Sequence, residues 1–225
     1  PYHYIEKENN EIIAICPLYI KSHSFGEYIF DHSWADAYHR YGLNYYPKLQ
    51  SAIPFTPVTG ERIIINKKID NIKEKENEVI KNIITEAKKI NVSSLHFNFI
   101  KNASQWTNNR EVMLRSGIQY HWKNNNYKTF DKFLESLSSR KRKIIKRERL
   151  CIDNNNLRVE LLNGDLIKEE HIQFFYDCYL DTTGRKWGST YLTKEFFFKI
   201  LDNFKNNILL IMAIQEDKMV ASAIN

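Results

Sequence analysis

The chain has 225 residues, of which 43% are hydrophobic and 27% charged, with only seven glycines and five prolines. These proportions match soluble globular domains and exclude a disordered, collagen-like or linker-dominated chain. Basic residues outnumber acidic ones 33 to 27, giving a net charge of +6 and an isoelectric point near 9.0, yet abundant lysine raises that value without any binding role.

Taken in chain order, residues 2–20 predict a hairpin. Tyr2 to Ile5 is strand-like, Glu6 to Glu11 is a charged turn, and Ile12 to Ile20 is apolar and β-branched. Pro17 confines the second strand to an edge or a bulge. Glu27 to Phe30 reads as another strand, followed by an aromatic, turn-rich stretch from Asp31 to Gly60 and a short buried strand from Arg62 to Ile65. Val79, Ile80, Ile83, Ile84, Ala87 and Ile90 recur with helical period and predict a helix over 74–90. Leu95, Phe97 and Phe99 alternate with polar residues and predict a central strand. A short helix from about Ser104 to Arg115 and a strand from Ile118 to Lys123 are expected next.

Thr129 then caps one long helix whose apolar stripe is Phe130, Phe133, Leu134, Leu137, Ile144 and Ile145. Seven of the ten residues from Arg140 to Arg149 are Lys or Arg. A strand over Leu157 to Leu162, helices over His171 to Leu180 and Thr193 to Phe204, and a closing hairpin of Ile208 to Ile214 with Met219 to Ile224 complete the pattern. Strands alternating with helices predict an α/β fold. The last hairpin is similar to the first, so a duplicated unit is expected: a first repeat over 1–165, including the basic helix 130–149, and the start of a second over 166–225. Both ends of the sequence read as cut, Pro1 replacing an initiating Met and Asn225 following an apolar run.

Several functions are disfavoured. The apolar run Ile208 to Ile214 is far shorter than the ~20 residues a bilayer requires, and no signal peptide is apparent. Cys16, Cys151 and Cys178 lie far apart and show no zinc spacing, which suits a reducing cytoplasm. The histidines form no paired metal pattern, so no metal is expected, and no Gly-x-Ser-x-Gly elbow signals a hydrolase.

Recognition chemistry concentrates in Trp34-Ala-Asp-Ala-Tyr-His-Arg-Tyr-Gly-Leu-Asn-Tyr-Tyr-Pro-Lys48 and in Ala52-Ile-Pro-Phe-Thr-Pro-Val-Thr-Gly60. Trp34, Tyr38, Tyr45 and Tyr46 offer flat amphipathic surfaces, Asp36, Lys48 and Arg62 offer charge, and Pro54 and Pro57 stiffen the loop. Asp36, the one acid among these motif residues before Glu61, is the candidate general base or amine anchor. The same residues also suit a turn and a core cap. Arg140, Arg142, Lys143 and Arg147 are candidate phosphate ligands, with a solvated helix face as the alternative.

These motifs resemble the FemAB-like peptidoglycan biosynthesis/recognition family of the GNAT (acyl-CoA N-acyltransferase) superfamily. The resemblance extends to His121-Trp-Lys-Asn124, Phe130-Asp-Lys-Phe-Leu134, Ser138-Ser-Arg-Lys-Arg-Lys143 and Thr183-Gly-Arg-Lys-Trp-Gly188 with Tyr191-Leu-Thr193. It implies two GNAT-like repeats, each an α+β mixed sheet flanked by helices, and transfer of an acyl or aminoacyl group, from acyl-CoA or aminoacyl-tRNA, to an amine-bearing acceptor of the cell-wall precursor class. It adds Phe55, Thr56, Thr59, Lys186 and Trp187 to the substrate-binding candidates and makes tRNA or CoA phosphates the ligands expected at the basic helix. No Arg/Gln-x-x-Gly-x-Gly/Ala loop for a CoA pyrophosphate is present, and Gly184 and Gly188 lie between helices rather than after a strand. A non-enzymatic recognition module of the same fold and a basic nucleic-acid-binding protein are the alternatives.

Overall fold

Tyr4–Glu8 (β1) and Glu11–Cys16 (β2) pair antiparallel in a computed structural model that describes residues 1–101, 106, 111–186 and 190–225. Asn9 and Asn10 turn the chain with φ of 48° and 66°, the left-handed pair that suits a two-residue hairpin loop. Pro17 has no N–H to donate, and the expected long second strand ends at Cys16. Its remainder, Tyr19–Lys21 (β3), joins a different sheet.

The chain divides into two compact units, Pro1–Ile118 and Gln119–Asn225. The first holds two three-stranded sheets. One has the order β1-β2-β5, with β5 being Ile64–Ile65. The other places Lys48–Ser51 (β4) between β3, which is antiparallel to it, and Leu95–Phe97 (β6), which is parallel. Leu95–Phe97 is therefore an edge strand among the described residues, not the central one that its hydrophobic alternation suggests. The centre is the polar-looking Lys-Leu-Gln-Ser strand, all four residues buried. The helix Ile72–Lys89 (α2) buries Val79, Ile80, Ile83 and Ala87, with Ile84 packed against the same cluster beside Ala14, Cys16, Leu18 and Leu49.

Three further expectations change in this unit. Glu27 to Phe30 forms no strand; Glu27 turns inward while Tyr28 and Phe30 stay exposed. The stretch read as turns contains a helix, His32–Arg40 (α1), which buries none of its residues fully and so lacks the apolar stripe that marks a helix in sequence. Residues 111–115 are not helical, and half of the helix expected from Ser104 to Arg115 lies outside the described residues. Residues 118–123 form no strand, with Ile118 and Tyr120 exposed at 82% and 95% and no pairing partner among the described residues.

In the second unit the expected single basic helix is two. Phe130–Glu135 (α3), capped by Thr129, ends where the Ser136 hydroxyl donates back to the Phe133 carbonyl at 2.6 Å. Ser139–Asn154 (α4) then starts afresh, because serine side chains compete for the backbone groups that would continue a helix. Arg158–Asn163 (β7), Leu209–Gln215 (β8) and Lys218–Ile224 (β9) form an antiparallel sheet with β8 central. Glu169–Gly184 (α5) and Lys194–Phe204 (α6) supply Ile172, Phe175, Phe197 and Leu201 to its core. Because β7 pairs with β8, the strand ending the expected 1–165 repeat belongs to the sheet of the second unit.

The two hairpins agree in detail. Tyr4/Cys16, Ile5/Ile15, Glu6/Ala14, Lys7/Ile12 and Glu8/Glu11 pair in the first. Ile211/Ala223, Met212/Ser222, Ala213/Ala221, Ile214/Met219 and Gln215/Lys218 pair in the second. The register shifts at the same place in each, and Glu216 and Asp217 repeat the left-handed turn with φ of 48° and 58°. A bulge at a matching position is a stronger likeness than hairpin grammar alone supplies.

Candidate functional site

Alternation along β4 sends Leu49 and Ser51 to the core and leaves Lys48 and Gln50 on the opposite face. Register adds Tyr19 and Lys21 from β3 and His96 from β6 to that face. Residues 22–31 and α1 provide the polar groups that meet it.

Lys48 is fully buried, at 0% exposure. Its ammonium donates to Ser24 Oγ at 2.7 Å, Glu27 Oε2 at 2.7 Å and Asp31 Oδ2 at 2.6 Å, so all three of its hydrogens are used. The Tyr45 hydroxyl donates to Asp31 Oδ2 at 2.8 Å, and Tyr46 shares a 2.8 Å hydrogen bond with Ser24. The two tyrosine rings lie 5.5 and 5.8 Å from the ammonium. Tyr38, reaching in from α1, meets the Tyr45 ring edge-on at 5.2 Å, and His96 meets it at 6.1 Å.

Two carboxylates surround one ammonium here, and burial makes their protonation unequal. Burial raises Glu27, with help from the Asp31 charge, and Lys48 reverses only part of that rise. Burial also pushes Asp31 upward, but hydrogen bonds from Lys48, Ser24 and Tyr45 outweigh it and hold Asp31 below the usual range. Burial and the Asp31 carboxylate raise Tyr45. Burial, then the Lys48 charge, lowers His96 to about 4, leaving a neutral imidazole at pH 7 that shares a 2.8 Å hydrogen bond with Ser94. Buried opposed charges that shift one another's proton affinity are a physical mark of functional sites. Among the described residues, no group of three His, Cys, Asp or Glu side chains is placed to hold a metal ion.

The sequence candidates divide by position. Tyr38, Tyr45, Tyr46 and Lys48 come together. Trp34 lies on α1 at 46% exposure. Asp36 is exposed on another side of that helix, lining a shallow depression with Ser33, His39 and Arg40, and does not join the Lys48 cluster. Phe55, Thr56 and Thr59 occupy the exposed loop 53–59, where Thr56 bonds back to Ile53 and Pro54. Arg62 is buried with its guanidinium spent on main-chain carbonyls: Asn98 at 2.8 Å, Val58 at 2.5 Å, Phe99 at 3.3 Å and Glu61 at 3.3 Å. It ties that loop to the end of β6.

In the second unit, Lys186 is exposed and Trp187 lies outside the described residues. Arg140, Lys143 and Arg147 stand exposed on α4. Arg142 is half-buried, donates to the Leu137 carbonyl at 3.2 Å, and leaves its Nε without a hydrogen bond among the described residues. The Arg149 guanidinium stacks on Phe130 at 4.4 Å.

Ser24, Glu27, Asp31 and His96 are the residues that sequence reasoning misses. Oxygen-bearing side chains at intervals of three and four, just ahead of the aromatic motif, are the signal that was available.

A protein-family model, FemAB-like, described as peptidoglycan biosynthesis/recognition, matches residues 1–225. No curated protein and no solved structure matches the chain.

Proposed function

The chain belongs to the FemAB-like peptidoglycan biosynthesis/recognition family, and from that premise we propose that it transfers an acyl or aminoacyl group to an amine of a cell-wall precursor. The observation that carries this reading is the convergence of Tyr38, Tyr45, Tyr46 and Lys48 on a buried pair of carboxylates. Acyl transfer to an amine requires that the amine lose a proton before attack. Glu27, with raised proton affinity, is the group of this cluster suited to receive one. Asp36 is a second carboxylate for the acceptor, on the exposed side of α1. Trp34 on α1 and Phe55 on loop 53–59, both partly exposed, are apolar surfaces available to the rest of the acceptor.

The exposed Arg140, Lys143 and Arg147, with Arg142, supply a surface for the phosphates of acyl-CoA or aminoacyl-tRNA. The repeated hairpin, with its matching bulge, supports a GNAT-like duplication. Three free cysteines support a cytoplasmic setting, and no helix among the described residues is long and apolar enough to cross a membrane.

The test offers cell-wall precursors bearing a free amine to the protein with either acyl-CoA or charged tRNA and follows product mass. Donor-dependent acylation of the amine, lost in Tyr45→Phe or Glu27→Gln, is the expected result. Precursor binding without transfer from any donor would make the protein a recognition module instead.

A further inference from the structure

Residues 22–31 grip one ammonium with three oxygens and hold two more oxygens in reserve. Glu27 Oε1 and Asp31 Oδ1 are buried and make no hydrogen bond among the described residues. Both side chains are 2% exposed, so neither oxygen is satisfied by bulk water, and a buried acceptor left in this state carries a substantial cost. The charge count is also incomplete, because two carboxylates face the single ammonium of Lys48. The nearest further cation is Lys21, whose Nζ stands 4.0 Å from Glu27 Oε1, beyond hydrogen-bond distance. Among the described residues its ammonium makes one hydrogen bond, to the Phe25 carbonyl, long at 3.5 Å. The Lys21 side chain is 20% exposed, and beside it Phe25 is half open to solvent, its ring 5.2 Å from His23 and 6.2 Å from His32.

We propose that Glu27 Oε1 is the seat of a substrate's primary ammonium group, and that the Lys21 side chain is a tethered stand-in which yields that seat to the substrate. This assignment deepens the acyltransfer reading by naming Glu27 as the anchor of the acceptor amine, and it rests on that reading for its biological substrate. The chemistry is that of the neighbouring Lys48 contact, in which the same carboxylate already holds an alkylammonium at 2.7 Å. A primary ammonium with three donors matches a lone carboxylate oxygen, whereas a neutral hydroxyl would leave the charge deficit in place. A tethered lysine competes as though present at millimolar concentration; removing it strengthens binding of a free amine without adding any contact. Once seated, the ammonium is positioned to pass one proton from nitrogen to Glu27 Oε1, leaving a neutral amine and a neutral carboxyl group.

The probe is n-butylammonium, which reproduces the Lys21 side chain from its Cβ outward, with 1-butanol as its uncharged counterpart. Binding is measured by titration calorimetry and amide shifts on the full chain, for wild type, Lys21→Ala and Lys21→Ala/Glu27→Gln, each checked for an unchanged melting profile. The expected result is binding at least tenfold tighter in Lys21→Ala than in wild type. It is abolished by adding Glu27→Gln, and 1-butanol does not reproduce it. Equal binding with and without Glu27→Gln, or no gain in Lys21→Ala, overturns the assignment. If Lys21→Ala misfolds, Lys21→Met with methylammonium repeats the comparison. No acyl donor enters this assay, so its failure leaves any measured transfer standing, while amine binding without transfer overturns the reaction and not the seat.

Discussion

Replacing Lys48 with methionine keeps the side chain as far as Cε and removes the ammonium, which isolates that group's role. Three hydrogen bonds of 2.6–2.7 Å disappear together, and two carboxylates that are 2% exposed lose their counter-charge. Breaking a buried ion pair by removing one partner costs about 3–5 kcal/mol. The protein's escape is to protonate a carboxylate, which at pH 7 costs about 3–4 kcal/mol per group of ordinary pKa. The two figures agree and imply a pH dependence. In Lys48→Met the carboxylates have folded pKa values above their unfolded ones, so stability is present at low pH and is lost as pH rises through the folded values. The deficit relative to wild type should therefore shrink by ~1.4 kcal/mol per pH unit between pH 7 and 5, the slope of one carboxylate taking up a proton. Hydrogen exchange of the Leu49 and Gln50 amides under increasing urea reads this locally, without assuming that the two units unfold together. Adding Glu27→Gln and Asp31→Asn should recover most of the loss. A cost below about 1 kcal/mol, or one that does not change with pH, would refute the reasoning that Lys48 is what neutralises this pocket.

Arg62→Ala should cost about 3–5 kcal/mol, since it strands carbonyls that now share a buried charge; loop 53–61 should become protease-sensitive, and an unchanged cleavage pattern would show that Arg62 does not clamp it. For His96 the folded value, about 4, lies below the usual 6.5, so its contribution is intact above pH 6.5 and is lost as pH falls toward 4. Urea midpoints should show that slope in wild type and a flatter one in His96→Gln, and identical slopes would remove His96 from the account. Reversing Arg140, Lys143 and Arg147 to Glu should leave the melting temperature nearly unchanged, because all three are exposed. It should also abolish the salt-sensitive binding of tRNA or CoA; retained binding would make α4 a solvated face only.

Elements with an apolar period were legible. The stripe of Val79, Ile80, Ile83 and Ala87 marks α2, and apolar runs mark β2, β8 and β9. What escaped has one physical cause: the important burial in the first unit is polar. β4 reads as a surface strand because Lys and Gln are seldom buried, and only the oxygens of Ser24, Glu27 and Asp31, distant in sequence, make its position tolerable. Helix α1 was hidden for a related reason, since its inward contact is the edge of Tyr38 rather than an aliphatic stripe. The aromatic motif holds Tyr45, Tyr46 and Lys48, which the fold brings together, but motif membership carries no direction in space. Asp36 and Lys48, twelve positions apart within it, differ as an exposed and a wholly buried charge.

The same arrangement constrains how the first unit folds. β4 is the only strand joining β3 to β6 among the described residues, so that sheet cannot close until the Lys48 ammonium leaves water. Three of its new oxygen partners come from one short stretch, residues 24–31. Desolvating the ammonium before they arrive would cost several kcal/mol; the stretch must therefore settle before or together with sheet closure. The rate-limiting transition state should contain this contact, and mutations at Glu27 and Asp31 should slow folding more than they speed unfolding. A chain that reaches the native sheet has, by that route, already assembled its pocket.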